Sequence, residues 1–145
     1  MSTLEKAIEI AARAHTGQVD KAGAPYIFHP LRLMFSVTGQ LEQMTAVLHD
    51  IVEDTTITLA DLRTEGFPEA VVVAVDALTK RPGETRLEAA ARAAENPIAR
   101  AVKLADVAHN MDLARIPDPT EKDYARLKEY EQVRALLLAR AASGE

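Results

Sequence analysis

Proline and glycine cut this chain into short segments, and inside nearly every segment the apolar residues recur at three- and four-residue spacing, which restricts the fold to packed helices. Leu4, Ile8 and Ala11, with Ala12 and His15, mark a first helix that Ser2 or Thr3 can cap and Gly17 ends. The next stretch, GQVDKAGAPYIFHP, is broken by Gly17, Gly23, Pro25 and Pro30 and reads as an ordered loop leading into a helix that opens at Pro30. After Gly39, residues 41–54 place Met44, Val47, Leu48 and Ile51 on one helical face. Further helices are predicted over about 58–65, 68–79, 84–94, 96–115 and 120–141, divided by Gly66/Pro68, Arg81-Pro82-Gly83, Asn96-Pro97 and Pro117/Pro119. The run AVVVAV at 70–75 is rich in β-branched residues, but no period-two alternation is sustained and its neighbours are helical. The expected fold class is therefore all-α, a bundle of about seven or eight helices.

A length of 145 residues suits one domain over residues 1–145. The absence of cysteine excludes disulfides and thiolate sites, so any metal has to be held by imidazole and carboxylate. A formal net charge of −5 lacks the clustered Lys and Arg that nucleic acid requires, which leaves a small polyanion bound at a metal as the anionic partner that fits, and no nucleic-acid polymer. No segment reaches the ~20 apolar residues that span a bilayer, and the N-terminus does not resemble a secretory signal. A cytoplasmic protein with no membrane partner is expected. So small a domain leaves a homo-oligomer open.

Ionisable residues gather in three places. On the predicted 41–54 helix, His49 stacks with Glu53, and Asp50 stacks with both Glu53 and Asp54. A solvated acidic face is the simplest account of three carboxylates. Like charges within one turn repel, however, and the C-terminal end of a helix disfavours anions, so a bound cation is the competing account. In KLADVAHNMD, residues 103–112, the periodicity sends Ile98, Ala101, Val102, Ala105 and Ala108 inward and puts Lys103, Asp106, Asn110 and Leu113 on another face. Alone, Lys103 and Asp106 read as an ordinary surface ion pair worth ~0.3 kcal/mol. His109 stands beside that face and reads as a packing or hydrogen-bonding residue rather than a ligand. His29, between Phe28 and Pro30, and His15, on the first helix, also read as structural when taken singly.

Taken together, HTGQ at 15–18, KAGAPYIFHP at 21–30, LHDIVEDT at 48–55 and KLADVAHN at 103–110 resemble the hydrolase domain of the RelA/SpoT homologues, an HD-domain fold. They are most similar to its small stand-alone hydrolases of guanosine tetraphosphate (ppGpp). The similarity runs from His15 to about Tyr130. It implies an HD-domain helical bundle in which His29, His49, Asp50 and Asp106 ligate a divalent transition metal, usually manganese (Mn2+). It also implies that Glu53 and Asp54 serve catalysis and that Lys21 and Asn110 line a site for a small-molecule nucleotide substrate. The residue types agree with that chemistry. Two imidazoles and two carboxylates suit Mn2+, Fe2+ or Zn2+ and leave open positions on a six-coordinate ion. Such an ion acidifies water and offsets charge on phosphoryl oxygens. Glu53, one turn from His49, is placed to orient that water or exchange its proton, with help from Asp54, while Lys21 offers a point charge to phosphate.

The chain also departs from the family. Arg-Lys is usual before the Gly-x-Pro-Tyr segment, whereas this chain reads Asp20-Lys21; the KLAD motif usually continues with Arg, whereas Val107 stands here; and Leu113 replaces a frequent threonine near the nucleotide. A carboxylate cannot stack on a base as a guanidinium can. The expected activity is hydrolysis of the 3′-pyrophosphate of ppGpp to GDP and pyrophosphate. The alternatives are the same chemistry on another nucleotide or phosphate ester, and a non-catalytic nucleotide-sensing module, against which the Glu53-Asp54 pair counts. No synthetase domain is expected, because the chain ends soon after the bundle.

Overall fold

Threonine and asparagine start most of the helices by capping them. Thr3, Thr58, Thr85, Asn96 and Thr120 each accept a hydrogen bond from a backbone N–H of the first turn, and at Thr58, Thr85 and Thr120 the third helical residue reciprocates to form a capping box. The computed structural model describes residues 2–143. Within them run α1 (Leu4–Ala14), α2 (Phe28–Ser36), α3 (Gln40–Leu48), α4 (Ile51–Asp54), α5 (Leu59–Thr64), α6 (Glu69–Leu78), α7 (Arg86–Ala94), α8 (Pro97–Asn110) and α9 (Glu121–Ala142). A 3-10 turn, Leu113–Arg115, precedes α9. Met1, Gly144 and Glu145, part of the expected single domain, lie outside the described residues. The described residues form no strand, only one isolated bridge between Val19 and Pro25. The all-α expectation is met, and residues 70–75 lie in α6.

Three boundaries differ from the periodicity. The helix expected to open at Pro30 opens at Phe28, because Ile27 already has helical dihedrals and the Phe28 and His29 N–H groups bond back to Pro25 and Tyr26. Pro30 then sits in the first turn, where a missing N–H costs nothing. The helix expected over 41–54 is two helices, α3 and α4, and this is why the described helices number one more than expected. The carbonyl of Ala46, which a continuous helix offers to the Asp50 N–H, is taken instead by His49, through its backbone N–H at 3.4 Å and its Nδ1 at 2.8 Å. The helix expected over 96–115 ends at Asn110, since Asp112 turns extended and its side chain caps the 3-10 turn at Ala114.

The main core lies around α3, with Val47, Leu48 and Ile51 packed among Leu33, Leu62, Val71, Val75 and Val102. A second cluster joins α7, α8 and α9 through Ala90, Ala94, Val107, Val133 and Leu137, the alanines letting α9 approach closely. On α8 the buried residues are Ala99, Arg100, Val102, Asp106 and Val107, while Ala108, expected inward, is exposed. Burying Asp106 instead of Ala108 places a carboxylate between the two cores. At the end of α1, Gly17 takes φ +84°, a left-handed turn that sends the chain into the long loop before α2.

Candidate metal centre

The break between α3 and α4 aims two side chains at a third helix. His49 caps α3, Asp50 starts α4, His29 comes from the first turn of α2, and Asp106 comes from the middle of α8. One ligand atom each of His29, His49 and Asp106 lies within 4.8 Å of the others. His29 Nε2 is 2.9 Å from Asp106 Oδ1, and His49 Nε2 is 3.1 Å from Asp50 Oδ2 and 3.8 Å from Asp106 Oδ1. Asp50 stands outside that group of three and accepts a hydrogen bond from the Tyr26 hydroxyl. His49 donates from Nδ1 to the Ala46 carbonyl, which leaves Nε2 as the nitrogen that faces the carboxylates. That Nε2 is buried, and although Asp50 Oδ2 is 3.1 Å away no acceptor meets it in hydrogen-bond alignment.

The electrostatics favour a positive charge at this point. Burial opposes charging His49, yet the Asp50 and Asp106 carboxylates outweigh it and raise its pKa to about 9. Burial also works against ionised Asp106, but Lys103, His29 and His49 together hold its pKa well below the usual carboxylate range. Burial, then Asp50, pushes the Tyr26 phenol upward, so it stays a donor. A buried orphan nitrogen, a second imidazole and ionised carboxylates converging from three segments form a donor set that fits a divalent transition metal.

Above this cluster opens a cavity of about 430 Å³, and Glu53, Asp54, Lys21 and Asn110 all line it. Glu53 is exposed and is held by the Lys80 backbone N–H, which donates to Oε1 at 3.0 Å. Asp54 lies on the rim, and burial followed by the Asp50 and Glu53 charges raises its pKa. Lys21 Nζ is 3.3 Å from Asp123 Oδ1 at the start of α9. Asn110 Nδ2 donates to Asp106 Oδ1 at 3.1 Å, so it orients a candidate ligand as well as lining the cavity.

The three family departures separate. Val107 is buried in the core between α7, α8 and α9 and does not line the cavity, so its replacement of arginine is a packing change. Asp20 and Leu113 do line it. Asp20 Oδ1 accepts from the Ala22 and Ala24 N–H groups at 2.9 and 3.0 Å, which builds the loop that carries Lys21.

Sequence reasoning passed over several residues. Arg86, Arg126 and Tyr130 from α7 and α9 line the cavity, and no motif announces them. Arg86 lies 5.0 Å over the Tyr130 ring. His15 is buried as a hydrogen-bonding residue, as expected, and its Nδ1 meets Gln18 Oε1 at 2.9 Å, while Gln18 donates to the Asp54 carbonyl. Tyr26, inside a quoted motif, carried a signal, since a tyrosine among apolar residues needs a partner for its hydroxyl.

No protein-family model matches the chain. A probable GTP pyrophosphokinase of Mycobacterium leprae is 34% identical, with 97% of this chain aligned to 19% of that protein. A guanosine-3′,5′-bis(diphosphate) 3′-pyrophosphohydrolase of Haemophilus influenzae is 36% identical, with 70% of this chain aligned to 17% of that protein. The chain thus spans less than a fifth of the length of these relatives. Among solved structures, one described as a metazoan ortholog of SpoT that hydrolyzes ppGpp matches with a TM-score of 0.76 over 97% of this chain and 85% of that one. Its identity is 24%, a likeness that speaks for the fold. With this helical fold and these curated relatives, the chain belongs to the RelA/SpoT hydrolase family.

Proposed function

We propose that residues 1–145 form a single HD-type catalytic domain that hydrolyses a nucleotide polyphosphate, the 3′-pyrophosphate of ppGpp, releasing GDP and pyrophosphate with Mn2+ as the metal. The observation that carries this reading is the buried His29–His49–Asp106 cluster at the foot of a cavity whose rim bears both carboxylates and cations. His29, His49, Asp50 and Asp106 are the residues that would hold the ion. When bound, a divalent ion supplies Lewis acidity toward the phosphoryl group and lowers the pKa of water. Glu53, fixed by the Lys80 N–H, is the proton acceptor, and Asp54 exchanges protons beside it. Lys103 and Lys21 line the cavity and offset phosphate charge. Some relatives are named for this hydrolysis and others for GTP pyrophosphokinase, and the hydrolase reading is the one for which this chain carries chemistry. With a nucleotide of this class as substrate, the cytoplasm is the location that goes with this proposal; among the described residues no helix is long and apolar enough to cross a membrane.

The test is release of pyrophosphate and of phosphate from a nucleotide panel by metal-stripped protein reloaded with Mn2+. Pyrophosphate from ppGpp, lost on stripping, is the expected result. Release from other nucleotides but not ppGpp would replace the substrate, and no release from any would remove the enzymatic reading.

A second reading, the same chemistry on another nucleotide or phosphate ester, is favoured by Asp20, whose carboxylate stands at the cavity where the family usually has arginine. Asp20→Asn keeps an oxygen for the Ala22 and Ala24 N–H groups and removes the negative charge, whereas Asp20→Arg would also undo the loop. The asparagine variant should lower KM for ppGpp about 2- to 5-fold, the effect of removing ~0.5–1 kcal/mol of repulsion across a solvated cavity, with kcat unchanged. Steady-state kinetics on ppGpp and on GTP under the same Mn2+ check this. An unchanged KM means that residue 20 does not feel the phosphates.

A further inference from the structure

His109, read from the sequence as a residue beside the metal-binding face, touches the metal site through His29. Its Nδ1 is 2.7 Å from His29 Nδ1, and the two ring planes differ by 14° with centroids 4.9 Å apart. Face-to-face rings cannot bring two nitrogens this close, because π-stacked planes keep a van der Waals separation. The rings lie edge to edge, nearly coplanar, in the geometry of an N–H···N hydrogen bond. A neutral imidazole has one donor and one acceptor nitrogen, so such a contact holds one proton, on one ring or the other.

We propose that His109 is a positioning residue: its Nδ1 accepts the Nδ1 proton of His29, fixes His29 in the tautomer with a bare Nε2, and so presents that nitrogen to the metal. The inference rests on the metal-centre reading given above. His29 Nε2 points at Asp106 Oδ1 at 2.9 Å, a contact that without metal holds a hydrogen on Nε2; an imidazole nitrogen that binds a cation carries none, so a bound ion would take that hydrogen's place. The proton of neutral His29 must then sit on Nδ1, and His109 Nδ1 is the acceptor within reach. His49 solves the same problem with the Ala46 carbonyl. The two imidazoles of the site are thus held by two different acceptors, a main-chain carbonyl and a neutral ring. His109 is itself held, near the end of α8, where the Arg115 guanidinium donates to its carbonyl at 3.1 Å. A ligand's outer partner of this kind typically contributes 10- to 100-fold in metal affinity.

The experiment compares wild type, His109→Leu and His109→Asn. Leucine removes the acceptor, while asparagine can place its amide oxygen near the position of the lost Nδ1. Zn2+ affinity is measured by chelator competition, with circular dichroism confirming each fold. Nitrogen-15 NMR of the diamagnetic Zn2+ protein reports which His29 nitrogen carries the proton. The expected result is a loss of about 10- to 100-fold in affinity for His109→Leu, recovery to within a few-fold in His109→Asn, and a protonated His29 Nδ1 in wild type. Wild type that binds Zn2+ while His109→Leu binds it equally well, or a His29 protonated at Nε2 in the loaded protein, overturns the role of His109 and leaves the metal centre standing. Wild type that binds no metal overturns both.

Discussion

Glu53→Gln is expected to keep the fold and the metal and to lose about 10²- to 10⁴-fold in turnover, the range typical of a general acid–base group. The glutamine amide retains the size of the carboxylate and keeps an oxygen for the Lys80 N–H that now bonds Glu53 Oε1, so the side chain should hold its place on the rim. What it loses is the ability to accept a proton. Glu53 lines the same cavity as Asp106 without belonging to the cluster of ligand atoms that His29, His49 and Asp106 form, which separates its role from theirs. The measurements are kcat on ppGpp under saturating Mn2+ and metal content of the purified variant. Turnover within a few-fold of wild type at full metal content would take Glu53 out of the reaction. Loss of metal along with turnover would make it a ligand instead.

Where the helices lie was legible because their starts are local. Thr58, Asn96 and Thr120 cap within three residues, and such signals need no partner from elsewhere in the chain. The break at His49-Asp50 was not legible, since the apolar spacing of Met44, Val47, Leu48 and Ile51 continues across it. It arises when the His49 side chain takes the Ala46 carbonyl, a competition that periodicity cannot register. The candidate site behaves in the same way. Motif residues could be named, but Lys103 and Asp106 on one helix look like a surface pair until α2 and α3 cover them with two histidines. The place of Val107 is illegible for a related reason: whether position 107 faces the cavity or the core depends on the rotation of α8 against α9, which no local pattern sets. His109 shows the limit most clearly, because its partner His29 is 80 residues away in sequence.

Asp106→Asn is expected to abolish metal binding with the fold intact, and Asp106→Ala to abolish it and destabilise the fold as well. Asp106 is the junction of the site: Oδ1 meets His29 Nε2 and accepts from Asn110 Nδ2 at 3.1 Å, Oδ2 meets Lys103 Nζ at 3.2 Å, and His49 Nε2 lies 3.8 Å away. Asparagine matches the carboxylate in size, so packing between the two cores survives, but it removes the negative charge that draws a cation into a buried place. Alanine also leaves the Lys103 ammonium without its partner. Breaking a buried pair in this way costs about 3–5 kcal/mol, and since 26% of the Lys103 side chain remains exposed the lower end of that range applies. Metal bound only to the folded state adds its own increment, about 2.7 kcal/mol when free metal is a hundredfold above Kd. Chelation should therefore lower the thermal midpoint of wild type and leave that of Asp106→Asn unmoved. Metal analysis and paired melting curves with and without chelator provide the check, with His49→Ala as a second ligand variant. Full occupancy in both variants, or a midpoint in Asp106→Asn that falls on chelation as wild type's does, would place the metal somewhere other than between α2, α3 and α8.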